Sequence, residues 1–237
     1  ITLERFHTLE EEFSQSDIAA LESVAYAENY NNYIFNLISR YITGIEVLDF
    51  GAGYGNYCLY LKKQGKEVIA IEINEEAINK LDKLEIKNFT KLGDLNKKFK
   101  NIVSLNVLEH LDDDHKVFNE LIEYLEPEGK IILYLPASMI AWTKLDELVN
   151  HKRRYSKKLI KDLVNSKNLN IDHIQWVDFV GWATLLLSKI LRLNLEFNKT
   201  RIVFYDNFIF RPFKHLDILF KYIIGKNILI VISKNNV

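Results

Sequence analysis

The sequence has one cysteine, Cys58, among 237 residues. An internal disulfide is therefore excluded, as is a zinc cluster built on several cysteines, and a reducing cytoplasm is the expected compartment. Proline occurs three times and glycine nine times, which excludes collagen and makes each of these residues informative punctuation. No apolar run reaches the roughly 18 residues of a membrane span. No basic-then-apolar leader opens the sequence, so no secretory signal is expected. Charge of one sign is lacking too: 31 Lys/Arg against 32 Asp/Glu leave a net charge of −1, which argues against a strongly basic nucleic-acid binder. What is present is 48% hydrophobic and 27% charged residues, the composition of a globule rather than of a disordered chain or a coiled coil. This length suffices for one large domain with a sizeable core.

Apolar residues recur at helical spacing from Asp17 to Tyr41 (Ile18, Leu21 and Val24, then Ile34, Leu37 and Ile38). They predict one or two helices with Asp17 as N-cap. The run 45–50 (IEVLDF) is short, apolar and β-branched and ends in glycines, the pattern of a buried parallel strand. A helix follows over 54–64, stopped at Gly65. The alternation continues with strand 67–71, helix 75–81, a weak strand 89–92, strand 101–105, helix 112–125 and strand 130–135. A helix at 156–164 precedes a sixth strand at 171–177. After about fifty apolar and aromatic residues, the run 227–233 (NILIVIS) predicts a seventh strand slotted back into the sheet. Strands alternating with helices of this length imply βαβ units and a mainly parallel sheet.

The loop Asp49-Phe50-Gly51-Ala52-Gly53-Tyr54-Gly55 joins the first strand to the next helix. Glycines there let the backbone turn sharply and approach a ligand, and the helix behind offers free N–H groups. Glu72 ends the second strand, 21 residues beyond Gly51, the spacing of an acid that accepts ribose hydroxyls. Asp49 decides between ligands. An acid there repels a pyrophosphate but favours a zwitterion bearing a sulfonium and an ammonium.

These residues resemble the Rossmann-like, class I S-adenosylmethionine-dependent methyltransferases, clearly over 45–138 and more loosely beyond. The resemblance implies an α/β fold with a mainly parallel seven-stranded sheet, helices on both faces and a C-terminal helical insertion before the last strand. It implies S-adenosyl-L-methionine as cofactor and S-adenosyl-L-homocysteine as product. Asp49, Gly51, Ala52, Gly53, Gly55 and Asn56 would hold the methionine part. Glu72, with Ile73 beside it, would hold the ribose. Gly93-Asp94-Leu95 looks like the third-strand motif whose Asp meets the adenine amino group. Asn106-Val107-Leu108-Glu109-His110-Leu111 looks like the segment after strand four that lines the cofactor and faces the substrate. Leu125-Glu126-Pro127-Glu128-Gly129 resembles the turn before strand five, with Glu128 where glycine is usual. Glu28-Asn29-Tyr30-Asn31 resembles a lid, placing Tyr30 over the cofactor. The expected divisions of a single domain are 1–44 as N-terminal helical lid, 45–180 as core, 181–226 as substrate-side insertion and 227–233 as last strand.

On the acceptor side, His110 is the best-placed general base, the other reading being a histidine bonded to backbone. The segment His151-Lys152-Arg153-Arg154-Tyr155-Ser156 clusters anion-binding donors beside a second titratable group. With Asp146 it resembles methyltransferases of glycan, quinone and lipid-linked pathways, and makes Asp146, His151, Arg154 and Tyr155 the expected substrate contacts. Ser156 is also a ready N-cap for the next helix. Asp112-Asp113-Asp114 is read as acids at a helix start, and no metal is expected.

From 181 onward, nine Lys/Arg face three acids, a balance of +6 that leaves −7 for 1–180. A basic, aromatic stretch suits a peripheral contact of 181–226 with the inner face of a membrane, or a cover packed on the sheet with its lysines in solvent. The expected activity is methyl transfer to a small or lipid-linked acceptor. A nicotinamide-dependent oxidoreductase is the first alternative, against which stands Asn56 where its third glycine belongs. An RNA methyltransferase is the second. Asn106-Val107-Leu108-Glu109 stands where base-amino methylation would need Asn/Asp-Pro-Pro-aromatic, so nucleic acid is not the expected partner.

Overall fold

The computed structural model describes residues 25–165, 169–193 and 198–235. Asp17 and the helical positions up to Val24 lie outside them. Helix α1 (Glu28–Ser39) leads into β1 (Glu46–Phe50), α2 (Asn56–Lys63), β2 (Glu67–Ile71), α3 (Glu75–Lys83) and β3 (Lys87–Phe89). Then come β4 (Phe99–Leu105), α4 (Asp114–Glu123) and β5 (Leu125–Pro136). Two helices, α5 (Lys144–Leu148) and α6 (Lys157–Leu163), precede β6 (Leu169–Val177). A helical lobe separates β6 from β7 (Asn227–Lys234).

The seven strands run in the order β3-β2-β1-β4-β5-β7-β6. Neighbours from β3 to β5 are parallel, while β7 is antiparallel to both β5 and β6. This is the doubly wound α/β fold that the strand–helix alternation predicts. The order reverses between β1 and β4, so the loops leaving their C-terminal ends diverge and open a crevice, the usual ligand position in such sheets.

Both faces of the sheet are buried, with alternate residues entering separate cores. Leu48, Ile131, Leu133, Ile230 and Ile232 pack with Phe118 and Leu121 of α4 and Ile160 and Leu163 of α6. Val47, Ile132, Tyr134, Leu229 and Val231 pack with Ile34 and Ile38 of α1, Leu61 of α2 and Leu81 of α3. This explains why the strands read as continuous apolar runs.

Several boundaries differ from the sequence reading by two residues or more, and at three elements the reason is local. β3 ends at Phe89, opposite the last residue of β2, Ile71. With no partner strand beyond, Leu92–Asp94 forms a 3-10 turn. Helix α4 is shorter than expected because the Asp113 side chain caps it by accepting the Lys116 N–H at 2.9 Å. It ends before Leu125, which already pairs with Phe99 in the sheet. The turn at 126–129 lies inside β5, where Glu128 takes a φ of +56°. The resemblance places a glycine there, and the left-handed backbone shows why.

The lobe comprises α7 (Phe179–Ile190), α8 (Lys199–Phe204), a π-helical stretch at Tyr205–Phe210, α9 (Arg211–Phe213) and, after a 3-10 turn, α10 (Asp217–Phe220). It is fastened to the body by two buried acids. Asp206 accepts the backbone N–H groups of Asn29 and Tyr30, both at 2.8 Å. Asp217 accepts those of Asp178 and Phe179 at 2.8 and 2.7 Å and the Tyr33 hydroxyl at 2.9 Å. Each carboxylate thus satisfies the orphan donors at a helix start. Phe210 fills the space between, edge-on to Tyr30 and Tyr33. Among the described residues no helix is long and apolar enough to cross a membrane.

Candidate functional site

The glycine loop leaves β1 with Gly51, Gly53 and Gly55 all at positive φ. Two of these glycines are also fixed by crowding. A Cβ on Gly51 would stand 2.3 Å from Cγ2 of Val107, and one on Gly55 2.8 Å from Cδ2 of Leu81. The loop is held to the sheet by the N–H groups of Gly51 and Ala52, which both donate to the Ile71 carbonyl. Asn56 then opens α2.

Asp49 lies beneath this loop and is 1% exposed. Its Oδ2 accepts from the Cys58 thiol at 3.1 Å. Its Oδ1 is buried without a hydrogen-bond partner among the described residues. Burial, reinforced by the charge of Glu72, pushes its pKa up to about 7. A carboxyl so placed is short of a cationic neighbour.

Glu72 joins the loop to the next strand end. Its Oε2 accepts the Gly53 N–H at 2.6 Å, and its Oε1 accepts those of Ile73 and Asn74 at 2.8 and 2.9 Å. With one bond on Oε2, that oxygen retains acceptor capacity. Ile73 is exposed and Leu95 buried. Asp94 is exposed at the end of the 3-10 turn, 3.6 Å from the Lys91 ammonium. Asp49 is thus the penultimate residue of β1, while Glu72 and Asp94 lie beyond the C-terminal ends of β2 and β3.

The segment after β4 supplies the facing wall. Asn106 has a φ of +52° and its Oδ1 accepts from Asn227 at 3.1 Å. Val107 packs on Gly51. Glu109 and His110 follow in a 3-10 turn. Glu109 is 0% exposed, and neither of its carboxylate oxygens has a hydrogen-bond partner among the described residues. Burial raises its pKa to about 8. Burial and the neighbouring His151 lower that of His110 to about 4, against a hydrogen bond to the Val149 backbone. The two imidazoles meet edge to face, their centres 4.8 Å apart.

His151 is brought here by α5 and the loop after it. Its Nδ1 lies 2.8 Å from Oδ1 of Asp146. The Asp146 carboxyl is held down at about 2: its burial is outweighed by hydrogen bonds from His151 and Arg154. The carboxylate of Asp146 can only accept, so Nδ1 is the donor of this pair, and the other ring nitrogen, Nε2, lies 3.8 Å from Oε1 of Glu109.

The other expected acceptor contacts are turned inward. Arg154 is buried and grips Asp146 with two bonds, Nε–Oδ1 at 2.7 Å and Nη2–Oδ2 at 3.1 Å, while Nη1 donates to the Ala137 carbonyl. Asp146 also completes a capping box with Thr143. The Tyr155 hydroxyl donates to Asp114 at 2.7 Å from inside the core. Asp146, Arg154 and Tyr155 therefore hold the loop that carries His151 and do not form its surface.

Tyr30 of α1 packs on the same side of the sheet as Tyr134. Its hydroxyl shares a 2.8 Å hydrogen bond with that of Tyr134, and the Lys226 ammonium lies 4.7 Å from its ring centre. Lys226 pairs at 2.6 Å with Asp178. Burial opposes the charge on Lys226, but the Asp178 carboxylate prevails and its pKa is raised. The sequence reading quoted Glu109 within a motif without giving it a role. Nothing local in the sequence marks Asp178, Asp206 or Asp217, whose partners lie in distant segments.

Compared with known proteins, residues 26–178 match the family described as methyltransferase domain. A search among curated proteins finds no match. Solved structures resemble the chain in fold. A methyltransferase from Archaeoglobus fulgidus described as SAM-dependent is 17% identical with a TM-score of 0.58, covering 86% of this chain and 94% of that one. The plantazolicin methyltransferase BpumL, solved with S-adenosylhomocysteine, is 16% identical with a TM-score of 0.52, covering 98% and 90%. A chain from the Haloferax volcanii complex of the Trm112 methyltransferase activator with its methyltransferase partner is 13% identical with a TM-score of 0.65, covering 96% and 98%.

Proposed function

The chain belongs to the methyltransferase domain family, as a class I S-adenosylmethionine-dependent enzyme, and from that premise we propose that it methylates a small acceptor presented beside Glu109, His110 and His151. The observation that carries this reading is the Asp49 carboxyl, buried with one oxygen unpartnered beneath a glycine loop. That orphan oxygen fits the ammonium of S-adenosylmethionine. When bound, S-adenosylmethionine supplies a methyl group already activated by its sulfonium.

The remaining work falls to this chain's residues. Asp49, with the loop Gly51, Ala52, Gly53, Gly55 and Asn56, is assigned to the methionine part. Glu72 would take the ribose hydroxyls on its Oε2, Asp94 the adenine amino group, and Ile73 and Leu95 the adenine faces. Asn106 and Val107 wall the other side, and Tyr30 excludes water from above. Alignment and dryness are the main demands of an in-line displacement. His110 and His151 face the acceptor, with Nε2 of His151 as the ring nitrogen turned away from Asp146. Asp146 and Arg154 act through His151 as positioning residues.

Exposed apolar groups on the lobe, among them Leu187, Ile190, Phe208 and Ile218, stand on its strongly basic segment. Beside them Pro212, Phe213, Leu216 and Leu219 help line a hollow of about 370 Å³. These features support an acceptor met at an anionic lipid surface, whether lipid-linked or partitioned there. Calorimetry with S-adenosylhomocysteine tests the cofactor assignment. Micromolar binding by the wild-type chain is expected, and absence of binding to a folded sample would refute it.

A further inference from the structure

We infer that Glu109, His110 and His151 form a site for a divalent transition-metal ion, best suited to Zn²⁺. One candidate ligand atom from each residue lies within 4.8 Å of the others. Around tetrahedral zinc such atoms stand about 3.3 Å apart, so a small inward turn of the side chains closes the set.

Two independent features point to a ligand. Glu109 is fully buried, yet both its oxygens lack hydrogen-bond partners among the described residues. An acid so buried is balanced either by a proton or by a cation in contact, and the two imidazoles beside it suit the cation. In addition, the His151 imidazole is fixed from behind. Its Nδ1 is held by Asp146. Metal-bound imidazoles are oriented in this manner, with the second ring nitrogen donated to a carboxylate or carbonyl. Asp146 is itself committed to Arg154 and Thr143, so it orients His151 without joining the ligands.

Two nitrogens and one oxygen favour zinc or its transition-metal neighbours over magnesium and calcium, which take oxygen. The acids at 112–114 are used otherwise. Asp113 caps α4, Asp114 pairs with Arg153 at 2.6 Å, and Asp112 lies 3.5 Å from Lys152.

Three protein ligands leave a position open. Resting on the methyltransferase reading above, this names the acceptor class as hydroxyl-bearing. The cation lowers the pKa of that hydroxyl. Its O–H bond breaks with the proton leaving to solvent, its oxygen bonds the methyl carbon, and the carbon–sulfur bond breaks toward sulfur.

The test uses the full chain, stripped with chelator, dialysed against Zn²⁺ and analysed for bound metal. A single equivalent of zinc per chain is expected, with Co²⁺ in its place giving visible d–d absorption. His110→Gln and His151→Gln should each weaken Zn²⁺ binding by about tenfold or more, with circular dichroism confirming that the variants fold. Should either fail to fold, the wild-type cobalt spectrum decides. Lack of stoichiometric zinc or cobalt binding by the folded wild-type chain overturns the proposal, as does unchanged affinity in both folded variants or tighter binding of Mg²⁺ than of Zn²⁺. Binding of S-adenosylhomocysteine to the same metal-free samples separates the two readings. Its failure would remove the methyltransferase assignment and leave the metal site standing, whereas failure of zinc alone removes only the metal.

Discussion

Asp206 accepts the backbone N–H of Tyr30 at 2.8 Å across 176 positions of sequence, so an acid of the lobe caps α1. Replacing it by alanine strips acceptors from two backbone N–H groups and from the Asn29 side chain. Asp206→Ala is expected to cost about 2–3 kcal/mol in urea unfolding. It should also weaken S-adenosylhomocysteine binding, because Tyr30 loses its fixed place.

Asp49→Asn tests the electrostatics of the loop. Binding of a cationic ammonium needs the ionised carboxylate, so affinity in the wild type should rise as pH increases through about 7. The variant should bind at least about tenfold more weakly and lose that pH dependence. The effect on folding has the opposite sign. A native pKa raised by burial means that the folded state holds a proton the unfolded chain has released. Stability without cofactor should therefore fall as pH rises from about 4 to about 7. Asp49→Asn should flatten this slope, as measured by melting at a series of pH values.

Gly51→Ala puts a methyl group 2.3 Å from Val107 at a φ of +78°. Loss of cofactor binding is expected from calorimetry. A second change, Val107→Ala, relieves the clash but not the backbone strain, and should restore only part of the affinity.

Lys226→Met leaves the Asp178 carboxylate buried without its cation. A loss of about 3 kcal/mol is expected from chemical denaturation. Asp178→Asn in the Lys226→Met background should recover part of it, since the stranded charge is then gone.

The lobe's basic and apolar face predicts binding to vesicles containing phosphatidylserine and little binding to purely zwitterionic ones, by sedimentation at low salt. Phe208→Asp should reduce it. Equal binding to both vesicle types would argue that the face meets something other than an anionic surface.

The fold was legible because its signals are local. Alternation of short apolar runs with helical periods marks each βαβ unit, and Gly51, Gly53 and Glu72 sit at strand ends where spacing alone locates them. The parts that were not legible depend on partners far along the chain. Arg154 and Tyr155 read as donors awaiting an anion, yet Asp146 and Asp114 had already taken them. Glu109 stood in plain view beside His110, but its unpartnered burial exists only once α5 brings His151 across. The antiparallel placing of β7 came from the same limit, since an apolar run carries no direction.

The position of β7 has a consequence for how the molecule is made. β6 is joined to the rest of the sheet only through β7, so during synthesis it has no neighbour to pair with until the ribosome has moved past Lys234. Until then β5 presents an open apolar edge, the kind of surface that chaperones cover. The fastening of α1 by Asp206 and Asp217 likewise has to wait until those acids have emerged. A nascent chain can complete its glycine loop well before α1 meets the lobe that holds it.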